Sequence, residues 1–502
     1  VTKAHLKSPP ESSQVGHFSG SKFVRCNSAT TAIGAGSGSS GAVAIMKEEE
    51  KKNMKTKPHF WRWAVASVIF RLVLIYFPKN LNLATRPEVS TPVTSLRRLA
   101  EGYWLTQSSM SPYAGSMYHG SPLLLSVLGP LTMKKIEGQP YHLLCSFVSV
   151  IADFISAMLI RAIGLKLRMA YCERLKSLGL GKLFEISEIL PSEDIAALVY
   201  LWNPLTIVTC VGFNTTPVEN LFIILSLYGA CIRVAPLAAF GWVVASHLSL
   251  YPTILIIPVI LLLGNGPDAT PRKLFLMYKK DEADNSSKGR VVNGLSEQKK
   301  FSWRPVGLFF VWVLIWTLYT LVLCGIFMRN YGGLSEMFNR TYGFILTVKD
   351  LSPNIGVLWY FFAEVFEFFR DFFLIVFHVN ILFMILPLAI RLKHRPCFLA
   401  FVYMAICSML KPYPSVGDSA LYLALLALFF NELAEMQFSF FLFCGFVGVS
   451  LLSPVMHNLW IWRGTGNANF YFATGMAYAC FQGNTFLPSS FLKQETSHVR
   501  TL

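Results

Sequence analysis

The chain has 502 residues, 53% hydrophobic and only 14% charged, where a soluble protein carries about a quarter charged residues; it is a polytopic membrane protein. Its formal charge of +16 does not mark a nucleic-acid binder, because the bases gather in loops between apolar runs, the pattern of cytosolic anchoring. Ten cysteines lie mostly inside apolar runs without CxxC spacing, so they read as small buried hydrophobes and not as a disulfide frame or metal site.

Residues 1–45 are rich in Ser, Gly and Thr, with Glu11 as their only acid. Two readings are open: a plastid-type transit segment, or disordered or upstream sequence ahead of a working start at Met46. The expected division is a disordered segment at 1–58, a polytopic membrane domain at 59–482 and an atypical polar tail at 483–502. Lys47, Lys51, Lys52, Lys55, Lys57 and Arg62 precede a first span at 60–77. Positive charge ahead of the first span places the N-terminus in the cytosol.

The loop from 78 to 121 then falls in the lumen, with a helical patch at 93–104. The apolar piece 123–133 is too short for a bilayer that needs about twenty residues, so it is expected to be re-entrant or interfacial. A second span at 141–163 leads into a basic loop holding Arg161, Lys166, Arg168, Arg174, Lys176 and Lys182. Spans follow at 195–211, 218–234, 236–248 and 251–263, and then a disordered cytosolic insert at 264–304. A span at 305–327 returns the chain to the lumen.

There it delivers SPNIGVLWYFFAEVFEFF, beginning at Ser352. Ser352 and Pro353 form a helix start. The spacing of Trp359, Phe362, Phe366, Phe369 and Phe373 predicts one aromatic stripe on a continuous helix, with Tyr360, Glu364, Glu367 and Asp371 on another face. A helix this acidic and this aromatic suits the membrane–water interface; the alternative is a core helix whose acids are paired. Further spans at 372–390, 397–410, 419–430, 438–455 and one beginning near 470 complete an all-α protein of about twelve crossings. That count keeps every strongly basic loop on one side. The lumenal turns are 213–217, 328–344, 411–418 and 457–470. Asn214 and Asn339 open N-x-Thr sequons there, close enough to spans that glycosylation is not favoured; Asn285 opens another on the cytosolic side.

The blocks SPYAG, LWNPLTIV, SLYPTILIIP, LSPNIGVLWYFFAEVFEFF, PLAIRLKHRP, KPYPSVGD and HNLWIWRGTGNANFYFA resemble the class U subunit of the glycosylphosphatidylinositol (GPI) transamidase, from about 60 to 482. The resemblance implies an endoplasmic reticulum complex that removes a C-terminal signal from a proprotein and joins the new end to a GPI lipid. It further implies a fold like the membrane-embedded lipid-sugar glycosyltransferases, and a subunit without the protease-like nucleophile. Partners so implied are the other subunits of the complex, the GPI lipid and the proprotein's C-terminal signal. Both chain ends depart from the family pattern.

The residues agree with a non-catalytic role. No cysteine sits in a clearly lumenal loop, and His119 has no Cys or Asp near it in sequence, so His119 and His457 read as structural hydrogen-bonders. Between 78 and 121 the only acids are Glu88 and Glu101, with no DxD pair for a sugar transferase, which leaves Glu101 alone as a base for that alternative. No catalytic residue, metal ligand or cofactor is assigned. The lumenal rim instead offers binding groups: the amides of Asn467 and Asn469 for hydroxyls and phosphate oxygens, the rings Trp460, Trp462 and Tyr471, and Arg463 for phosphate. The competing reading makes Asn467 a helix cap amid an aromatic belt, and the family resemblance favours GPI contact. Lys411 and Tyr413 could meet headgroups, while Asp418 reads as an N-cap. Trp359, Tyr360, Phe362, Glu364 and Glu367 complete the expected lipid-binding set. The leading function is a scaffold and GPI-binding subunit; the alternative is a dolichol-sugar-dependent mannosyltransferase of GPI assembly. A lipid transporter is disfavoured, since no span shows paired broken helices.

Overall fold

A computed structural model of the chain describes residues 58–76, 83–133, 143–177, 191–267, 301–433 and 439–486. Apart from Pro58 these fall in one unit, His59–Leu502. Among the described residues the architecture is all-helical, and the one extended pairing is an isolated antiparallel bridge between Ser95 and Asn214. Almost all of the N-terminal segment, most of the 264–304 insert with Asn285, and the last sixteen residues lie outside the described residues.

Among the described residues five helices are long and apolar enough to cross a membrane: His59–Tyr76, Leu143–Glu173, Trp303–Met328, Glu367–Leu392 and Ser439–Trp462. A sixth span counts if the pair Ser192–Trp202 and Pro204–Val211, bent by 45°, is taken as one. The bend has a local cause. Pro204 has no N–H to donate, and the Asn203 side chain accepts from the Leu205 N–H at 3.0 Å, restarting the helix in a new direction. Other expected spans are shorter helices of 10–17 residues, among them Thr216–Cys231, Ala235–Leu248, Pro396–Leu410 and Val416–Ala427. The expected re-entrant piece is the helix Pro122–Met133. The final helix, Ala468–Phe486, runs on through four residues that the sequence assigned to the polar tail.

One expectation about a loop is corrected. The basic residues Arg161, Lys166 and Arg168 sit on the 35-residue helix Leu143–Ser177 and not in a loop. Two of them meet carboxylates in the first turn of the next helix. Arg161 Nε lies 2.7 Å from Asp194, and Arg168 Nη1 lies 2.9 Å from Glu193.

Small side chains let the central helices touch. Ala196, Ala230, Ala238, Ala239, Ala400, Ala405 and Ala424 are all fully buried in one core. A Cβ on Gly229 would come within 2.6 Å of the Ala238 amide nitrogen, and one on Gly241 within 2.6 Å of that of Ser226. Helices Thr216–Cys231 and Ala235–Leu248 therefore meet backbone to backbone, the packing mode that serves in lipid, where apolar burial alone gives no advantage. A buried polar cluster joins three helices. Arg71 Nε is 3.6 Å from Asp153, both side chains 1% exposed, and Asp153 also accepts from the Tyr200 hydroxyl at 3.0 Å.

Candidate functional site

The stretch from Ser352 does not form the single helix that its periodicity predicts. Residues 351–354 are irregular, a helix runs only over Leu358–Glu364, and a second begins at Glu367. Asn354 explains the late start. Its side chain accepts from the Gly356 N–H at 2.8 Å and donates to the Pro412 carbonyl at 3.2 Å, fixing a turn where Pro353 was expected to open a helix. Val365 and Phe366 then both take extended backbone, with ψ of 133° and 137°, and the chain changes direction. The stripe is divided as a result: Trp359 and Phe362 are buried, whereas Phe366 is 79% exposed. Glu364, Glu367 and Asp371 are all exposed, so none is a paired core acid.

What the break achieves is a meeting with the segment 457–472. The helix Ser439–His457 ends in a turn, Asn458–Trp462, and Gly464, at φ +62°, reverses the chain. Asn467 accepts from the Phe470 N–H at 3.2 Å, so it caps the last helix, as its competing reading held. Asn469 accepts a short hydrogen bond from the Tyr360 hydroxyl. The Tyr360 ring stacks on Phe472 with centroids 4.6 Å apart, and Trp359 stacks on Trp460 at 6.2 Å and leans on Tyr471 at 6.0 Å. Trp462 and Arg463 stand outward beside them. Two stretches about a hundred residues apart in sequence thus build one aromatic rim carrying two exposed amides and a guanidinium.

Behind the rim sits a residue with no local signal in the sequence. Glu88, buried, accepts from the Tyr471 hydroxyl at 3.1 Å. Among the described residues, Glu88 Oε2, Trp359 Nε1 and His457 Nδ1 are buried without a hydrogen-bond partner. Burial pushes the Glu88 carboxyl above the ordinary carboxylate range, against smaller opposing contributions from its backbone N–H, Tyr471 and Arg86. A raised value means that the folded state holds its proton longer than the unfolded state does. The group's stabilisation is complete below about pH 4.3 and is lost as pH rises through the folded value. Glu88→Gln keeps an acceptor for Tyr471 without a titration. Its melting temperature minus that of the parent should therefore climb as the pH is raised from 4 to 8; a flat or falling difference would refute this account of Glu88.

Lys411 and Tyr413 belong to a second cluster. Lys411 Nζ lies 2.5 Å from Asp418, with both side chains almost wholly enclosed, so its charge is met inside the protein. Buried Glu219 is the second acid acting on it. Asp418 is not the N-cap itself: Ser415 is, and Asp418 closes a capping box by accepting from the Ser415 N–H at 2.7 Å. The buried Tyr413 hydroxyl accepts from the Asp350 N–H at 3.0 Å, and its ring stacks on Phe344 at 5.3 Å. Of the two sequons expected on the lumenal side, that of Asn214 is sealed. Its side chain is fully buried, donating to the Val89 carbonyl and accepting from the Thr216 N–H at 2.9 Å. Asn339 is exposed. His119 lies between the carbonyls of Ser116 and Arg340, 3.1 Å from each, and stacks on Phe344.

A sequence profile of the family described as "GPI transamidase subunit PIG-U" matches residues 65–478. The "GPI-anchor transamidase component PIGU" of Homo sapiens is 30% identical over 430 residues, covering 82% of this chain and 87% of the human protein. The protein of the same name from Cricetulus griseus is 31% identical over 434 residues, with the same coverage of both chains. The "GPI transamidase component GAB1" of Saccharomyces cerevisiae is 26% identical over 396 residues, covering 78% of this chain and 83% of the yeast protein.

Proposed function

The chain belongs to the family of GPI transamidase subunits of the PIG-U type, and from that premise we propose that it is the subunit that holds the GPI lipid while other subunits carry out the transfer. It acts in the endoplasmic reticulum membrane, in a complex that acts on the C-terminal signal of a proprotein, and it contributes no nucleophile of its own. The observation that supports this reading is the rim. Asn469 spends one oxygen lone pair on Tyr360, and Asn467 spends its oxygen on the helix start, so both amide N–H pairs remain for a glycan hydroxyl or a phosphate oxygen. Arg463 adds a fixed charge for phosphate. Exposed Trp462 and half-buried Trp460 supply ring faces suited to the headgroup level, with buried Trp359 stacked behind Trp460. In this reading the short helices complete about twelve crossings, the N-terminus and the 264–304 insert are cytosolic, and the arrangement follows that of lipid-sugar glycosyltransferases.

The test is GPI binding by the assembled complex, read alongside transfer of GPI to a reporter proprotein. Asn469→Leu removes two donors and an acceptor, each worth about 0.5–1.5 kcal/mol net, so lipid affinity should fall about ten- to a hundredfold with assembly intact. Tyr360→Phe deletes the hydroxyl's internal interactions with Asn469 and Glu364 but leaves the amide donors in place, so it should cost far less. Asn467→Ser keeps the cap and should weaken binding without destabilising the chain. Full binding and transfer by Asn469→Leu would make the rim merely structural.

A further inference from the structure

The helix Glu367–Leu392 is the least buried of the membrane-spanning candidates, and Phe368, Phe372, Leu382 and Phe383 all point outward from it. Apolar outward residues need only lipid. Asn380 does not fit that account. It too is exposed, and it stands midway along the 26-residue helix, about 20 Å from either end at 1.5 Å per residue. That is the depth of the bilayer centre. The side chain is too short to reach an interface, and none of the described residues hydrogen-bonds to it. Acyl chains cannot satisfy an amide, so leaving it against lipid is strongly disfavoured.

A second polar group opens on the same strip. Pro387 lies inside this helix and has no N–H for the carbonyl of Phe383, which is one turn on from Asn380 and 75% exposed. The side-chain donor and this freed backbone acceptor therefore lie at adjacent turns of a helix whose Val376, Phe383 and Met384 are all exposed. We propose that the strip Val376, Asn380, Phe383 and Pro387 is the docking face for a transmembrane helix of a different polypeptide. That helix presents a side-chain amide or hydroxyl at mid-membrane depth. A second copy of this chain fits less well. The family to which the chain belongs is that of one subunit of a larger complex, so membrane chains other than copies of this one stand beside it. A ring-bearing face is matched instead by a helix lined with small residues, which can approach closely. The proposal requires only that this helix spans, and it stands apart from the lipid rim.

The experiment uses the full chain in its native membranes, with the photocrosslinker benzoylphenylalanine placed at Val376, and at Leu382 on the opposite side as the control. The expected adduct from position 376 joins one chain of different mass. Its crosslinked peptide should map to a membrane span containing Asn, Gln, Ser or Thr near the attachment point. Asn380→Leu should lower the adduct yield per chain about three- to tenfold, the range of an intramembrane hydrogen bond, and Asn380→Gln should restore it. An adduct at twice the chain's own mass, adducts to lipid alone, or an unchanged yield in Asn380→Leu would overturn the proposal. So would a fall in the amount of chain with yield per chain unchanged, since the amide would then serve this chain's own fold.

Discussion

Replacing Lys411 by methionine is expected to destabilise the protein by about 3–5 kcal/mol, the cost of leaving a buried charge unpaired. Two acids would be stranded, Asp418 and Glu219, both buried. Desolvation alone would push the Lys411 pKa down, but the two carboxylates outweigh it and hold it above the ordinary lysine value. A raised lysine contributes stability that is fully present below about pH 10.4 and lost only as pH climbs through the folded value. The parent should therefore show no loss from this group anywhere in the physiological range. The measurement is the thermal midpoint in detergent, with the amount of chain in membranes beside it. A variant as stable as the parent would mean that the cluster is solvated, against its burial. Lys411→Arg is a poor rescue, because a planar fork does not fit where a compact ammonium sits.

Asp153→Leu should be comparably costly, about 3–5 kcal/mol, because it abandons Arg71 inside the helix packing. The informative comparison is the double variant Arg71→Met with Asp153→Leu. Replacing both charges by apolar groups of similar volume is often neutral or stabilising, so the pair should recover most of what the single change loses. Tyr200, whose hydroxyl donates to Asp153, would remain as a smaller deficit of about 1 kcal/mol. If the double variant were as unstable as Asp153→Leu alone, the loss would come from packing and not from the stranded guanidinium.

The membrane class, the positions of most helices and the aromatic character of the rim were legible in the sequence, because long apolar runs and their flanking charges act locally. The segment 457–470 could be singled out for the same reason: two amides, two Trp and an Arg lie within a few residues. The break at Val365 and Phe366 was not legible. Neither residue is a helix breaker. The late start of the helix at Leu358 was hidden for another reason: Asn354 grips the Pro412 carbonyl, a partner far away in sequence. Lys411 misled for a related reason. Near a tyrosine in a short turn between apolar runs it resembles a headgroup contact, and only the fold reveals the carboxylates that claim it. Arg161 and Arg168 looked like loop bases because their partners, Asp194 and Glu193, begin another helix.

The bond between Glu88 and Tyr471 joins residues 383 positions apart, and this sets a schedule for biogenesis. At about 5–20 residues per second, the ribosome delivers Tyr471 roughly 20–80 s after Glu88. For that interval the first long loop must wait with an unmatched carboxyl, and the nascent chain stays open to quality-control factors. Truncations that stop before the last helix would never close this clasp, and they should be recognised as incomplete however well their earlier helices insert.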